Sequence, residues 1–400
     1  RQRYWILMIF QTFDEKKDCF MVYKGSEFHK TITPTCTQTW SYAPYLGDKE
    51  VEYASLYTLE KSLEDLCPAG KRAAFIDIQS KIKAVIKSCN EAGLDLNTMC
   101  IYEVMPRHLL ATWAQIKTTI CEKVFNECEK PKNYEQLLKI TKVIADIKYR
   151  RLNINTSQIT RLTLQDRNTY KLLTRNMSFI DYDMTKTVTG RLSTKKGSFP
   201  VMTLAKKYRR VLTPTNNWLY ELDFNACELR TALALLGHDQ PEDDLHEWNL
   251  ANVFTRAKDR DNAKKRIFSW LYNPNNKDHA VSKIYDRNKL KTLYFKDNKV
   301  ITPFGREIEC DEDHAVNYLV QSTAADMVFE QMYAVWEFLK DKKSFIKFCN
   351  HDSIMIDLHV DDQYEINKMK KLFSDTRFGS LRINCLGGEN WAEMKPLMIK

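Results

Sequence analysis

Hydrophobic and polar positions divide the chain into three stretches with different periodicities. Residues 4–13 (YWILMIFQTF) and 19–25 (CFMVYKG) are two runs rich in apolar residues around the charged segment 14–18, a pattern that predicts a β-hairpin. From about residue 53 to residue 159, apolar residues recur every three or four positions, which predicts amphipathic helices. From about residue 176 onward, strand-like and helix-like segments alternate without an internal repeat, which predicts an α+β unit.

Two strand-like segments of the α+β stretch present an acidic residue at one end. Residues 218–224 (WLYELDF) predict a strand with Asp223 near its end, followed by a helix that Gly237 terminates. Two apolar segments flank residues 351–353, which predicts a hairpin with Asp352 at its turn. Buried carboxylates on neighbouring strands are costly unless a cation joins them. The two acids therefore predict a cation site.

A stripe of cations and rings marks one predicted helix. Arg260, Lys264, Phe268 and Tyr272 recur at every fourth residue and share one face over about 18 Å, and Pro274 follows. The sequence offers no acid at matching spacing to pair both charges. The stripe suits a nucleoside triphosphate, with the cations on phosphates and the rings beside sugar and base. The alternative is an ordinary amphipathic helix whose basic side chains extend into solvent.

Composition narrows the chemistry further. The chain has only 11 glycines in 400 residues, and it contains neither GxGxxG nor GxxxxGK[ST], so Rossmann and Walker-type phosphate loops are excluded. The net charge of +9 suits a polyanionic partner. The predicted helices carry many basic residues on their outer faces, either as a solvated surface or along phosphates: Lys117, Lys123, Lys130, Lys132, Lys139, Lys142, Lys148, Arg150 and Arg151.

Cysteine usage and apolar runs bound the cellular setting. The 11 cysteines show no zinc-ligand spacing, so we expect reduced thiols, no disulfide, no structural zinc and a cytoplasmic protein. The longest clean apolar run, residues 4–10, is far shorter than the roughly 20 residues that span a bilayer, so we expect no membrane segment.

The order of the motifs carries a family resemblance. The chain contains, in sequence, residues 187–193 (TVTGRLS), 222–230 (LDFNACELR), the cation and ring stripe, 317–326 (NYLVQSTAAD) and 350–353 (NHDS). Residues 176–400 thereby resemble the family A DNA polymerases, which include bacterial DNA polymerase I and phage replicative enzymes. The departures from the family pattern favour a divergent phage or viral member.

The resemblance implies a right-hand polymerase fold of the α+β class, with an antiparallel sheet in the palm and helical fingers and thumb. It divides the chain into a β-rich segment of unknown role (1–55), thumb (56–175), first palm part (176–236), fingers (237–300) and second palm part (301–400). The 3′-5′ exonuclease associated with this family needs a D-x-E strand. Residues 75–79 (FIDIQ) place glutamine at the second position, so we expect no exonuclease in this chain.

The resemblance also implies roles for individual residues. Two Mg²⁺ ions would be held by Asp223, Asp352 and the Phe224 backbone carbonyl, which is consistent with the preference of magnesium for hard oxygen ligands. Asp223, Asp352 and Lys264 form the predicted catalytic set. The predicted nucleotide-binding residues are Arg260, Lys264, Phe268, Tyr272, Glu228 and His246. The predicted DNA-binding residues are Arg191, Asn317, Gln321, His351 and Arg230.

The predicted activity is addition of dNTPs to a primer 3′-hydroxyl on a DNA template, by a monomer that works with replication accessory proteins. Glu228 favours DNA synthesis, because the resemblance places it under the sugar, where a 2′-hydroxyl would collide. Ser353 keeps open a single-subunit RNA polymerase, a class that often has His-Asp-Ser. The other alternative is a non-catalytic nucleic-acid-binding relative, although both aspartates and the stripe are present.

Overall fold

A computed structural model describes residues 8–59, 61–155, 157, 178–254 and 259–397. The chain divides into two units, residues 1–149 and 150–400. This division falls inside the predicted thumb segment, whose residues 60, 156 and 158–175 lie outside the described part, as do residues 4–7 of the predicted hairpin. The finer domain boundaries stay predictions.

The first unit begins with two small sheets. One pairs its strands in parallel and contains β1 (Met8–Ile9), β5 (Cys36–Thr39) and β6 (Glu52–Tyr53). The other is antiparallel and contains β2 (Gln11–Thr12), β3 (Val22–Lys24) and β4 (Glu27–His29). Gln11 pairs with Tyr23 across β2 and β3, so the chain returns antiparallel at this point, as predicted. Met8–Ile9 of the predicted first hairpin strand pairs in parallel with β5 instead, so the hairpin is confirmed only in part.

Helices complete the first unit. They are α1 (Ala54–Tyr57), α2 (Leu63–Leu66), α3 (Arg72–Glu91), α4 (Ile101–Val104), α5 (Arg107–Glu127) and α6 (Tyr134–Lys148). Leu110, Ile120 and Val124 of α5 pack with Phe75 of α3, as the helical periodicity predicts. Residues 75–79, considered above for a strand with exonuclease acids, lie within α3.

The predicted basic outer face is only partly a solvent face. Lys117 is buried, and its ammonium donates to the Thr12 carbonyl at 3.3 Å, so its placement among the outward basic residues was wrong. Lys130 pairs with Glu52 at 3.1 Å and Lys148 with Glu15 at 2.7 Å. Intramolecular partners therefore engage part of the charge that the sequence left for solvent or phosphate.

The expectation of no disulfide was also wrong. Cys19 and Cys100 are bonded to each other, with their Cα atoms 5.3 Å apart. Asp14 brings the two segments together, because its carboxylate accepts a hydrogen bond of 2.7 Å from the backbone N–H of Ile101. In the described part of the chain, one group of three or more His, Cys, Asp or Glu side chains lies close enough to share a metal ion, namely Asp14, Cys19 and Cys100, and its two cysteines are already joined. Sequence spacing could not show this contact, which spans 81 residues.

The disulfide gives a direct prediction for the thiol content. Titration of the denatured, unreduced protein with a thiol reagent should detect nine thiols, because nine cysteines are free. Prior reduction should raise the number to 11, the full cysteine content. Eleven thiols without reduction would contradict the bond, and a Cys19→Ser, Cys100→Ser variant should show nine under both conditions.

The second unit is built on a five-stranded sheet with the strand order β15, β16, β11, β19, β20. The bounds are β11 (Trp218–Phe224), β15 (Phe345–Asn350), β16 (Ser353–Leu358), β19 (Ile383–Gly388) and β20 (Lys395–Pro396). All the pairings are antiparallel. The predicted strand at 218–224 and the predicted hairpin around residue 352 are confirmed, and β11 lies between β16 and β19.

Helices follow β11 and continue to the end of the unit. They are α7 (Cys227–Leu236), α8 (Leu245–Asn252), α9 (Arg260–Tyr272), α10 (His279–Ser282), α11 (Arg287–Tyr294), α12 (Glu312–Leu339) and α13 (Ile366–Ser374). Gly237 ends α7 with φ 76°, a left-handed conformation that glycine adopts without strain. Leu233, Ile267 and Leu319 join α7, α9 and α12 in one core.

Short strand pairs occupy the connections. They are β7 (Asn153–Ile154) with β10 (Leu212–Thr213), β8 (Tyr182–Asp183) with β9 (Ser193–Thr194), β12 (Phe295–Lys296) with β13 (Lys299–Ile301) and β14 (Glu307–Glu309), and β17 (Asp375–Thr376) with β18 (Gly379–Ser380). Across the described residues, each helix is too short or too polar to cross a bilayer.

Candidate active site

Asp223 and Asp352 meet where β11 adjoins the turn between β15 and β16. Asp223 lies opposite Ser353 in the antiparallel register. The Phe224 N–H donates to the Asp352 carbonyl at 3.2 Å, which locks the two segments together. His351 has φ 57°, so the backbone turns sharply just before Asp352. The two acids are therefore brought together by the sheet, as the sequence predicts.

Burial is the largest influence on the pKa of both carboxyls in this pair. Burial, followed by the charge of Asp352, raises the pKa of Asp223 to about 7, although Asn384 donates to it at 3.2 Å. Burial also raises the pKa of Asp352, against the lowering effects of His351, Arg191 and Lys264. Two half-buried carboxylates that repel each other are an all-oxygen donor set, and this fits a hard divalent cation such as Mg²⁺.

Glu228, in the first turn of α7, is held from two directions. Its carboxylate accepts short hydrogen bonds from Arg191 and from the Tyr272 hydroxyl, so it links the loop before β9 to the end of α9. Burial and then the charge of Asp352 raise the pKa of Glu228 to about 7. These bonds leave the Glu228 side chain little freedom to rotate.

A cavity of about 300 Å³ opens beside the acid pair. Arg191, Glu228, His351 and Asp352 supply its polar wall. Its apolar wall comes from Leu192, Met202, Cys227, Ala324, Ala325, Val328, Phe329 and Cys349. The cavity thus places a charged, oxygen-rich surface opposite an apolar one.

The stripe predicted on α9 forms as a helical face. The ring centroids of Phe268 and Tyr272 lie 5.7 Å apart, and the Lys264 ammonium lies 5.9 Å from the Phe268 ring. His246 on α8 lies 6.5 Å from Phe268, and burial, then Lys264 and Arg260, lower its pKa to about 4. His246 is therefore neutral at physiological pH.

One cation of the stripe has an acidic partner that lies outside the spacing of its own helix. Arg260 has an acidic partner, because Asp244 accepts from its guanidinium at 3.0 Å. Asp244 lies sixteen residues earlier in the chain, beyond the helical spacing at which a sequence pattern shows pairing. Lys264 is exposed.

The predicted DNA-binding residues lie in different environments in the structure. Arg191 and His351 line the cavity. Asn317 and Gln321 are half-buried on α12 and are not among the residues that line the cavity, so their roles remain predictions. Arg230 has no exposed surface, and its guanidinium donates to the carbonyls of Asn225, Pro241 and Asp243, so we withdraw it as a DNA contact.

Sequence reasoning missed the support under Arg191. Arg306 makes a two-pronged ion pair with the fully buried Asp326, at 2.9 and 2.7 Å. Its guanidinium lies directly against Gly190, where a Cβ atom would collide with it. Gly190 has φ 73° and precedes Arg191. The glycine in TVTGRLS was a sequence signal for this contact, whereas nothing in the sequence linked the distant Arg306 and Asp326 to Arg191.

The comparisons agree with this geometry at the level of fold. No family model and no curated protein matches the sequence. The structure is similar to that of the POL domain of Pol1 from M. smegmatis, solved in complex with DNA primer-template and dNTP. The TM-score is 0.62 at 12% sequence identity, over 90% of this chain and 87% of that chain. The chain therefore has a polymerase-like fold of helices and antiparallel sheets.

Replacing Gly190 with alanine should lower the free energy of unfolding by more than the strain of its positive φ alone accounts for. Gly197→Ala is a matched control, because Gly197 also has positive φ (92°) but its Cβ would meet open space. That control should cost roughly 1–2 kcal/mol, whereas Gly190→Ala should cost about 3 kcal/mol or more through the added collision with Arg306. Urea unfolding measures both. Equal losses would refute the role of the Arg306 contact.

The raised pKa of Asp223 predicts that the free energy of unfolding depends on pH when EDTA removes divalent cations. The folded pKa, about 7, exceeds the ordinary 3.8, so the unfolded chain releases this proton first. The free energy of unfolding should therefore fall between about pH 4 and pH 7, and the fall should be smaller in Asp223→Asn. Urea unfolding at about pH 5 and pH 8 measures it. Exposed Asp239→Asn is the control; an unchanged fall in Asp223→Asn would contradict the assignment.

Proposed function

We propose that this protein is a template-directed DNA polymerase that adds dNTPs to a primer 3′-hydroxyl. The observation that carries the proposal is the meeting of Asp223 on β11 with Asp352 in the turn before β16, beside a cavity that Glu228 and Arg191 line. Tyr272, at the end of the cation and ring stripe, reaches the same cavity through its bond to Glu228. The polymerase-like fold supports this reading.

In this proposal Asp223, Asp352 and the Phe224 carbonyl hold two Mg²⁺ ions. When bound, the ions supply activation of the primer hydroxyl and charge neutralisation at the leaving pyrophosphate. Asp223 and Asp352 must be ionised for this role, and cation binding favours that form against their mutual repulsion. Lys264 lies close enough to Asp352 to lower its pKa, which places a positive charge beside the reacting phosphates.

The remaining residues of the stripe bind and orient the nucleotide. Arg260 and Lys264 hold the phosphates, and neutral His246 adds a hydrogen-bonding group beside them. Its Nδ1 is buried without a partner among the described residues. Phe268 packs on the sugar and base, and Tyr272 lies beside the template base. Together these groups form one wall of the nucleotide site.

The other groups face the primer-template. Arg191 and His351, on the cavity wall, are proposed to contact the DNA near the primer end, and Asn317 and Gln321 the template side. The palm, fingers and thumb, membership of family A, a phage or viral role, a monomeric state and accessory partners are further parts of the proposal. Their support is the motif order in residues 176–400.

Glu228 supports DNA synthesis over RNA synthesis. Its carboxylate lines the cavity and is fixed by Arg191 and Tyr272, so it cannot swing aside for a 2′-hydroxyl without breaking those bonds. Ser353 is the feature that favours the RNA polymerase alternative. Ser353 is buried, and its hydroxyl donates to the Glu221 carboxylate at 3.2 Å.

Primer extension on a DNA template with Mg²⁺ and dNTPs tests the proposal. Asp223→Asn and Asp352→Asn should each lower the extension rate about a thousandfold or more, because cation-dependent stabilisation is worth several kcal/mol. The matched control is Asp239→Asn, which alters the exposed pair His238-Asp239, the same dipeptide as His351-Asp352. The control should extend like the wild type.

Three outcomes separate the alternatives. Preference for dNTPs over rNTPs, reduced in Glu228→Ala, supports the proposal. Equal or better use of rNTPs would identify an RNA polymerase instead. Binding of primer-template with no extension of the primer by either dNTPs or rNTPs would identify a non-catalytic relative.

A further inference from the structure

Arg260, the first residue of α9, is engaged by a carboxylate from another helix terminus. Its Nε and Nη2 atoms lie 3.3 and 3.0 Å from the two oxygens of Asp244, the residue that caps α8. The Arg260 side chain is 44% exposed and that of Asp244 20%, so the pair lies at the surface of the proposed nucleotide site. A ligand can reach Arg260 from solvent.

Asp244 does not depend on Arg260 to satisfy its carboxylate. It accepts from Asn225 Nδ2 at 2.7 Å, from the His246 N–H at 3.0 Å and from the Glu247 N–H at 3.1 Å. Although burial acts in the other direction, hydrogen bonds from Arg260 and Asn225 hold the pKa of Asp244 well below its usual range. If Arg260 left, three N–H donors would remain on the carboxylate.

Arg260 cannot serve the carboxylate and a phosphate with the same N–H groups. The guanidinium fork binds carboxylate and phosphate oxygens in the same two-pronged geometry. We propose that Asp244 competes with nucleotide phosphates for Arg260. It binds the Arg260 guanidinium in the nucleotide-free protein and releases it when the triphosphate binds. This inference rests on the proposed function, in which Arg260 holds nucleotide phosphates.

The exchange makes the site selective among anions. Every anion that recruits Arg260 must first displace Asp244, and the free energy of that displacement is subtracted from its own affinity. A triphosphate that also reaches Lys264 offsets this loss, whereas a single phosphate has fewer contacts with which to do so. Asp244 thereby lowers occupation of the nucleotide site by small anions.

The chain contains a matched pair for comparison. Asp278 caps α10 through the N–H groups of Ala280 and Val281, and it binds Arg266 of the same helix α9 at 2.9 and 2.7 Å. Arg266 is two residues beyond Lys264 and stacks on Phe254 at 4.2 Å, off the proposed phosphate-binding face. Asp278→Asn therefore weakens the same kind of capped pair without freeing a stripe residue.

Calorimetric binding of inorganic tripolyphosphate at fixed ionic strength tests the exchange without catalysis. Asp244→Asn keeps an acceptor for the α8 cap but removes the charge that holds Arg260. It should bind tripolyphosphate about twofold to fivefold more tightly than the wild type, the range expected for an exposed ion pair. Asp278→Asn should match the wild type. Glu247→Gln, which removes an exposed charge near Arg260 without breaking a bond to it, should also match.

A double-variant cycle makes the result specific to Arg260. Arg260→Gln should weaken binding, and adding Asp244→Asn to it should have no further effect. Weaker or unchanged binding by Asp244→Asn alone would overturn the exchange, as would an equal gain in the Arg260→Gln background. Failure of wild-type primer extension would overturn the proposed function, but it would not alter these binding results, so the two failures are distinguishable.

Discussion

The repulsion between two half-buried carboxylates is the constraint around which the second unit is arranged. Asp223 and Asp352 lie close together because the antiparallel register of β11 and β16 brings Asp223 beside the turn that contains Asp352. Burial raises the pKa of both carboxyls, and the charge of Asp352 raises that of Asp223 further. A cation bound between them would relieve the cost of their charged forms, so the folded sheet holds an oxygen donor set that fits a divalent cation.

Glu228 connects this acid pair to the elements that surround it. Arg191 approaches it from the loop before β9 and Tyr272 from the end of α9, so a single carboxylate links three separate segments. The loop is in turn held by Arg306, which packs on Gly190 and is fixed by the buried Asp326. The shape of the cavity therefore depends on a chain of charged contacts that reaches from the surface to the core.

The two arginines of α9 are paired in the same way. Arg260 and Arg266 each meet an aspartate that caps a neighbouring helix, so the same carboxylate satisfies backbone N–H groups and a guanidinium. The difference lies in what each arginine faces: Arg266 stacks on Phe254, whereas Arg260 shares a helical face with Lys264 and Phe268. Local position on the helix thus separates a structural pair from one that a ligand can dissociate.

The sequence by itself determined the elements and the order of the chemical groups. Strand β11, the hairpin around Asp352, helix α9 and the Gly237 terminus follow from local periodicity and capping, which act within a few residues. Tertiary structure alone decided the partners of individual charges. Arg230 is buried, Lys117 faces inward, Asp244 holds Arg260, and Cys19 is bonded to Cys100. These contacts join residues that chain folding brings together, and no spacing rule encodes them because they depend on where whole elements pack.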